Sequence, residues 1–318
     1  MADIASNLFS KVLPRLGHEP GLRSGFQGWI VSGVYVPAEA SPGREVDLHQ
    51  VKTLDFVPYA AFDFERFALS CRESFVTASI EIPRHSLAGW PILKLYYAAF
   101  FGAHALMRSL GTGVVKLEPE QTRHLNAVLS IHDPKAAPLS PGMYLYSLSY
   151  TDPTNTVECT INLKRIASGL GVHESFWKIF CAFIKEQADE AVRRKDPDSS
   201  TFLSGSLEVV DAITDSGISS GIWFSRIRND VNYRHQYDTW FPIPKQAKSL
   251  KALRNVKIVK SASVRMDLDK SKNPITSFVR LAEYLSCLSI EISDLLAARS
   301  TRGGTFGQKW RRLTTHLQ

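Results

Sequence analysis

The segment from Trp223 to His235 contains the side chains that are best suited, by type and spacing, to catalysis. Arg228 and His235 are seven positions apart, which on an α-helix places them about two turns apart on nearly the same face. An exposed stripe would then present a guanidinium, which holds a phosphate bidentately, and an imidazole, which moves a proton near neutral pH. These two groups suffice to cleave RNA without a metal ion, and Asn229 beside them would orient a reacting group.

Two other pairs have a similar spacing, Arg44 with His49 and Arg311 with His316. The first pair begins in a loop that contains Pro and Gly, and the second begins in a basic C-terminal tail. Only Arg228 is followed by Asn and lies on a predicted helix, so we select the segment that contains it.

His104 and Arg108 are second-rank candidates because they share one face, at i and i+4, of a predicted helix. That helix, residues 91–110, is apolar nearly all round, so a core histidine beside an arginine that extends toward solvent is the favoured interpretation. Residues 217–221 match GxSxG, but the segment before them has a helical pattern, which disfavours a serine hydrolase.

The sequence predicts no cofactor and no metal site. It lacks the phosphate-binding GxxxxGK[ST], the dinucleotide-binding GxGxxG and the zinc-binding HExxH patterns. Its four cysteines are widely scattered without a CxxC pair, which argues against both a disulfide framework and a zinc site.

The elements that must position these residues are mostly helices. Apolar residues recur at helical spacing in segments 62–75, 91–110, 174–195, 202–213, 218–233 and 275–298, of which 91–110 is predicted to be central. Prolines flank the alternating runs MYLYSLSY and TVECTINL, which predict a small antiparallel sheet. The predicted fold is mainly α (α+β), with an irregular N-terminal extension at 1–58, a helical bundle at 59–111 and 172–299, a β-rich insertion at 112–171 and a basic tail at 300–318.

The composition is typical of a folded globular protein, with 44% hydrophobic and 22% charged residues among 318. No stretch reaches the roughly 18 consecutive apolar residues that a membrane helix needs, and the N-terminus lacks the apolar segment of a signal peptide. We therefore expect a cytoplasmic protein without a membrane partner.

The net charge of +7 is unevenly distributed. Residues 222–318 carry 18 Lys and Arg against 7 Asp and Glu, a balance of +11, whereas residues 1–221 have a balance of −4. Basic residues recur at every third position from Lys245 to Lys260, which favours nucleic acid as the partner. On an α-helix, residues three positions apart differ in direction by about −60°, so the six basic residues could not lie on one face. We therefore predict a helix followed by a strand for this basic ladder, residues 245–260. Lys248, Lys251 and Arg254 are its predicted phosphate contacts.

The pair Arg228-Asn229 with His235 resembles the active-site motif of the HEPN superfamily, in which an arginine and a polar residue, often Asn, precede a histidine. Residues 96–106, YYAAFFGAHAL, resemble the aromatic and alanine-rich core helix of many members of that superfamily. The two segments cover about a tenth of the chain and occur in the same order as in the superfamily.

This resemblance implies a bundle of four or five helices that pairs as a homodimer and cleaves RNA without a metal ion. His235 would act as general base or acid for attack of the ribose 2′-OH on the adjacent phosphate, Arg228 would stabilise the phosphoryl charge, and the products would be a 2′,3′-cyclic phosphate and a 5′-OH. Asn229 would position Arg228 or the substrate. Arg226, Tyr233 and Arg234 would contact RNA.

The resemblance also implies a biological setting and leaves alternatives open. Such nucleases commonly act as toxins in prokaryotic toxin–antitoxin or antiphage systems, cutting tRNA or mRNA under the control of a partner protein or a nucleic-acid complex. A non-catalytic module that binds nucleic acid or protein is the alternative. A DNA-binding regulator is a third, although no helix-turn-helix or zinc-finger pattern is present. Tyr237 and Trp240 would stack on unpaired bases, but packing of the loop after the helix is favoured.

Overall fold

The computed structural model describes residues 2–9, 11–13, 16–17, 24–81, 88–150, 156–167, 169–215, 221–240, 270, 272, 274–300 and 305–316. Within these ranges the helices are α1 (Ala2–Phe9), α2 (Phe26–Ser32), α3 (Thr53–Glu81), α4 (Gly89–Ser109), α5 (Pro119–His132), α6 (Val172–Arg193), α7 (Ser199–Ile213), α8 (Trp223–Tyr233), α9 (Pro274–Arg299) and α10 (Thr305–His316). The strands are β1 (Val36–Ser41), β2 (Glu45–Lys52), β3 (Thr112–Leu117), β4 (Gly142–Ser149) and β5 (Glu158–Arg165). The fold is mainly helical with a small antiparallel sheet, which confirms the predicted fold class.

The five described strands form one antiparallel sheet in the order β1-β2-β5-β4-β3. β2 pairs with β5, and across this pair Asn162 Nδ2 donates a hydrogen bond of 2.8 Å to Asp47 Oδ1, 115 residues away in the chain. β1 and β2 belong to the predicted N-terminal extension, whereas β3, β4 and β5 belong to the predicted insertion. The two segments therefore build one sheet, because β2 satisfies the backbone groups at the edge of β5.

α4 is the central helix of the bundle, as the apolar pattern of residues 91–110 predicts. It packs against α3, α6, α8, α9 and strand β3. Small residues allow close approach: a Cβ at Gly102 would lie 3.0 Å from Ser289 Cβ on α9 and 3.1 Å from Cys71 Sγ on α3. α4 therefore supplies the frame against which the shorter α8 is held.

Two boundaries differ from the predictions. α3 begins at Thr53, directly after β2, and so crosses the predicted limit of the N-terminal extension. The predicted basic tail contains α10, whose Phe306 and Trp310 are buried; Phe306 packs edge-on against Phe64 of α3 at 5.1 Å between ring centroids. The basic composition of the tail does not indicate a buried helix. Phe306 and Trp310 are four positions apart and therefore lie on one face of the helix.

α8 packs against α4, α6, α7 and α9, and so lies at the junction of the helices that surround the candidate site. None of the described helices combines the length and apolar character of a membrane span.

Candidate active site

Helix α8 carries the residues singled out in the sequence, and its apolar side faces the bundle. Phe224, Ile227 and Val231 are buried. Arg228 lies one turn after Phe224, on the same inner side, and is only 6% exposed. The expectation that α8 presents Arg228 on an exposed stripe is therefore wrong, because the helical spacing also places Arg228 next to apolar residues of the inner face.

Three side chains hold the Arg228 guanidinium. Nη2 donates to the Tyr97 hydroxyl of α4 at 2.7 Å, and Nη1 donates to Asn229 Oδ1 at 2.9 Å and to the Tyr233 hydroxyl at 3.4 Å. The guanidinium carbon also lies 5.2 Å from the centroid of the Tyr233 ring and 5.7 Å from that of the Tyr97 ring. Nε is buried and has no hydrogen-bond partner among the residues that the structure describes.

The guanidinium lies just beneath the surface. Asn229 is exposed, and Tyr233 is 70% exposed, so both of the side chains that bond to Nη1 face solvent. The hydrogen bond and positive charge of Arg228 lower the pKa of Tyr233 below its ordinary value. Arg228 is therefore covered by two side chains at the surface of the protein.

α8 ends at Tyr233, and His235 lies beyond the helix in an exposed position. The φ angle of His235 is 51°, in the left-handed region, and the N–H of Gln236 donates to the Asp230 carbonyl at 3.1 Å, which closes the helix end. The prediction that His235 shares a helical face with Arg228 is therefore wrong. α8 ends at Tyr233, before the two turns that would separate Arg228 from His235 are complete.

The loop after α8 packs onto the beginning of α4. The Thr239 carbonyl accepts a hydrogen bond from the N–H of Gly89 at 3.0 Å, and Trp240 Nε1 donates to the Val231 carbonyl at 2.7 Å. The Trp240 ring lies 5.7 Å from the His235 ring between centroids. Trp240 therefore packs the loop against α8, and its ring lies beside that of His235.

The other arginines predicted to bind RNA form ion pairs within the chain. Arg226 pairs with Asp215, and Arg234 Nη1 lies 2.9 Å from Asp230 Oδ1. These four side chains line a polar cleft of about 310 Å³, to which Asn229 also contributes. An RNA contact by Arg226 or Arg234 would therefore compete with an existing ion pair.

His104 and Arg108 lie in the core. Arg108 is 1% exposed, so the prediction that it extends toward solvent is wrong. Arg108 Nη1 lies 2.9 Å from His104 Nδ1, and Nη2 donates to the Val114 carbonyl at 2.7 Å. The imidazole stacks on Phe176 at 3.8 Å between centroids. Burial, and then the charge of Arg108, lower the pKa of His104 well below its ordinary value. His104 and Arg108 therefore form a hydrogen-bonded pair within the core.

The predicted contacts Lys248, Lys251 and Arg254 lie outside the described residues, as does the whole ladder from Lys245 to Lys260. Residues 217–220 of the GxSxG match also lie outside them. These predictions stay predictions.

The sequence analysis missed one histidine of the site. His173 is the second residue of α6, and its Nδ1 lies 3.1 Å from the Tyr96 hydroxyl. Its ring centroid lies 5.9 Å from that of Tyr97, the residue that accepts a hydrogen bond from Arg228. Burial, and then the positive charge of Arg228, lower the pKa of His173 to about 4. No motif marks His173; only the aromatic run at Tyr96 and Tyr97 indicates this region, and its apolar pattern predicts a core helix.

The cluster is chemically suited to an anion. It combines a guanidinium, two tyrosine hydroxyls and an imidazole, all of which are hydrogen-bond donors to a phosphate. Within the described ranges, no three or more His, Cys, Asp or Glu side chains converge as they would around a metal ion.

Comparisons of this chain with protein-family models, with curated proteins and with solved structures find no match. Function is therefore inferred from the site itself.

Proposed function

We propose that this protein is a metal-independent endoribonuclease of the HEPN type that cuts RNA, such as tRNA or mRNA. The observation that carries the proposal is the position of Arg228. Its guanidinium lies beneath two exposed side chains, Asn229 and Tyr233, and His235 is exposed just after the end of the same helix. A phosphate that displaces these two side chains would meet a guanidinium that Tyr97 still holds through Nη2.

In the proposed cleavage step, His235 acts from the loop after α8 and Arg228 acts from the helix itself. His235 takes the proton of the ribose 2′-OH, and the 2′-oxygen attacks phosphorus to form a 2′,3′-cyclic phosphate. The bond to the 5′-oxygen breaks, and that oxygen takes up a proton to leave as a 5′-OH. Arg228 stabilises the negative charge that develops on the phosphoryl oxygens. In a homodimer, two Arg228–His235 sets facing one cleft would supply the base and the acid from separate copies.

The proposed setting is that of a cytoplasmic toxin or effector in prokaryotic toxin–antitoxin or antiphage defence. Arg226, Arg234, Lys248, Lys251 and Arg254 would contact the RNA backbone. A partner protein or nucleic-acid complex would restrain or trigger cleavage.

A non-catalytic module that binds nucleic acid or a partner protein is the second candidate. The observation that favours it is the burial of Arg228, whose three hydrogen bonds are all made within the chain. In that case the cluster would stabilise the contact between α8 and α4.

Cleavage of mixed RNA and DNA by the pure protein, with and without EDTA, tests the proposal. We expect cleavage of RNA alone, at equal rates with EDTA. Arg228→Ala and His235→Ala should each lower the rate by about 100-fold or more, the usual contribution of such groups. Thermal unfolding of each variant establishes that it is folded.

His49→Ala is the matched control, because His49 is an exposed histidine on β2 that also follows an arginine. Wild-type cleavage by His235→Ala, or an equal loss in His49→Ala, would contradict the site. RNA that is bound through Arg228 and never cut would favour the non-catalytic module.

A further inference from the structure

His173 lies at the edge of the Arg228 cluster, on a different helix from His235. Its ring is 5.5 Å from the Tyr96 ring and 5.9 Å from the Tyr97 ring, measured between centroids. Tyr97 accepts the hydrogen bond of Arg228 Nη2 through its hydroxyl oxygen, and the hydroxyl hydrogen of Tyr97 can still be donated to a ligand.

A chain of hydrogen bonds sets the protonation of this imidazole. Trp177 Nε1 donates to the Tyr96 hydroxyl at 2.9 Å, since an indole nitrogen can only donate. Tyr96 is fully buried, and its own hydroxyl hydrogen has His173 Nδ1 within reach at 3.1 Å. The direction of this hydrogen bond follows the imidazole tautomer: when Tyr96 donates to Nδ1, the proton of the neutral ring lies on Nε2.

The electrostatic surroundings keep the imidazole neutral. Burial and the charge of Arg228 hold the pKa of His173 at about 4, so the ring carries no charge at neutral pH. A neutral imidazole in this tautomer presents Nε2–H on the side away from Tyr96. That group donates a hydrogen bond and cannot accept a proton at the same nitrogen.

We propose that His173 binds the phosphate group held by Arg228 through its Nε2–H, with Trp177 and Tyr96 as positioning residues. The ligand class is an oxyanion, because Arg228, Tyr97 and His173 all donate hydrogen bonds and Arg228 supplies positive charge. In naming RNA as the source of that phosphate, this inference rests on the proposed function. The phosphate site itself can be tested without any cleavage assay.

The tautomer is tested first, by nitrogen-15 NMR of the histidine rings at pH 7. The signals of His173 are identified by their loss in His173→Asn. We expect the pattern of a protonated Nε2 and an unprotonated Nδ1, and a shift of that pattern in Tyr96→Phe. A protonated Nδ1 in the wild-type protein would overturn the proposal, whatever the Tyr96 variant does.

Binding of inorganic phosphate is tested next, by calorimetric titration of the wild-type protein and of each variant. Asn keeps an acceptor close to the place of Nδ1 but has no donor at Nε2, whereas Gln keeps an amide N–H close to Nε2. We expect phosphate to bind about ten- to hundredfold more weakly to His173→Asn, the effect of losing a hydrogen bond to a charged group, and within a few-fold of wild type to His173→Gln. His49→Asn is the control variant and should match wild type.

The outcomes separate this proposal from the ribonuclease proposal. If phosphate binding depends on Arg228 and His173 but no RNA is cut, the phosphate site stands and the enzyme activity fails. If RNA is cut and neither His173 variant alters phosphate binding or cleavage, the enzyme activity stands and the role of His173 is overturned.

Discussion

Arg228 differs from the neighbouring arginines, Arg226 and Arg234, in the charge of its partners. Arg226 and Arg234 pair with carboxylates, which cancel their positive charge locally. The hydrogen-bond partners of Arg228 are the neutral oxygens of Tyr97, Asn229 and Tyr233. A cation held by neutral dipoles keeps its attraction for an anion, and its geometry is set before the anion arrives. This is the physical reason for placing the candidate site at Arg228.

At the same scale, His104 should make the stability of the protein depend on pH. Its pKa is lowered in the folded state by burial and by Arg108, so the unfolded chain binds a proton that the folded chain does not. The free energy of unfolding should therefore fall as the pH drops below about 6.5, by up to about 1.4 kcal/mol per pH unit. His173, with a folded pKa of about 4, adds a similar effect between about pH 6.5 and 4.

Denaturant unfolding of wild type and His104→Asn between pH 5 and 8 measures this effect. Asn can accept the hydrogen bond of Arg108 but cannot be protonated, so its curve should be flatter below pH 6.5. A variant curve parallel to that of wild type would show that His104 does not titrate with unfolding. His49→Asn, at an exposed histidine, serves as the reference.

At the scale of elements, the candidate site depends on how α8 ends and where its loop is attached. The left-handed residue His235 closes α8, and the Thr239 carbonyl is bound at the first turn of α4. α4 also carries Tyr97. One helix therefore positions both the partner of Arg228 and the loop that contains His235.

Gly89→Ala tests this attachment. An added Cβ would lie 2.5 Å from the Trp240 ring, so the loop must shift. We expect a loss of about 1–3 kcal/mol in the free energy of unfolding, as is typical of overpacking, together with a changed tryptophan fluorescence spectrum and slower RNA cleavage.

Gly171→Ala, at the start of α6, is the matched control because nothing lies within 4 Å of its added Cβ. Its stability should stay within about 0.5 kcal/mol of wild type. Equal stability of the two variants would mean that the loop does not depend on the space at Gly89.

At the scale of the whole molecule, exposed apolar side chains border the candidate site. Trp90 is 63% exposed and packs edge-on against Trp240, and Tyr233 is 70% exposed over Arg228. Exposed aromatic surface of this kind is typical of interaction sites. The proposed homodimer would use this surface to bring two sites into one cleft.

Light scattering should therefore give a mass of about twice the 35.5 kDa of the chain. Trp90→Ser and Tyr233→Ser should shift the protein toward the monomer and lower the cleavage rate together. A monomer with full activity would contradict the shared cleft.

The uneven charge leads to a prediction about salt. In a His235→Ala background, replacing Lys248, Lys251 and Arg254 together by Ala should weaken RNA binding. The slope of log affinity against log salt should fall by about 2, at roughly 0.7 for each lost phosphate contact with single-stranded RNA. Identical slopes would show that the ladder is only a solvated surface.

A triple variant at the exposed lysines Lys52, Lys135 and Lys185 provides the control for net charge. It removes the same number of charges from other parts of the molecule. A loss equal to that of the ladder variant would mean that total charge, and not the ladder, sets the affinity.

Features that depend on near neighbours could be predicted from the amino-acid sequence. The apolar pattern of residues 91–110 predicted the central helix, and the alternating runs around Tyr146 and Ile161 predicted paired antiparallel strands, β4 and β5. Helical and strand periodicities are set by backbone geometry, so they can be read within one segment. The types and order of Arg228, Asn229 and His235 could be recognised for the same reason, because the three residues lie within one short segment.

Contacts between residues that are distant in the chain are established by the packing of the elements. β2 joins β5 across 115 residues, and His173 reaches Tyr96 across 77 residues, contacts that no local pattern encodes. The burial of Arg228 and the end of α8 before His235 were also decided by packing, because α4 and the loop at Trp240 supply the hydrogen bonds that hold them. Local periodicity states which side chains share a helix face, but the neighbouring elements determine which face is buried and where the helix ends.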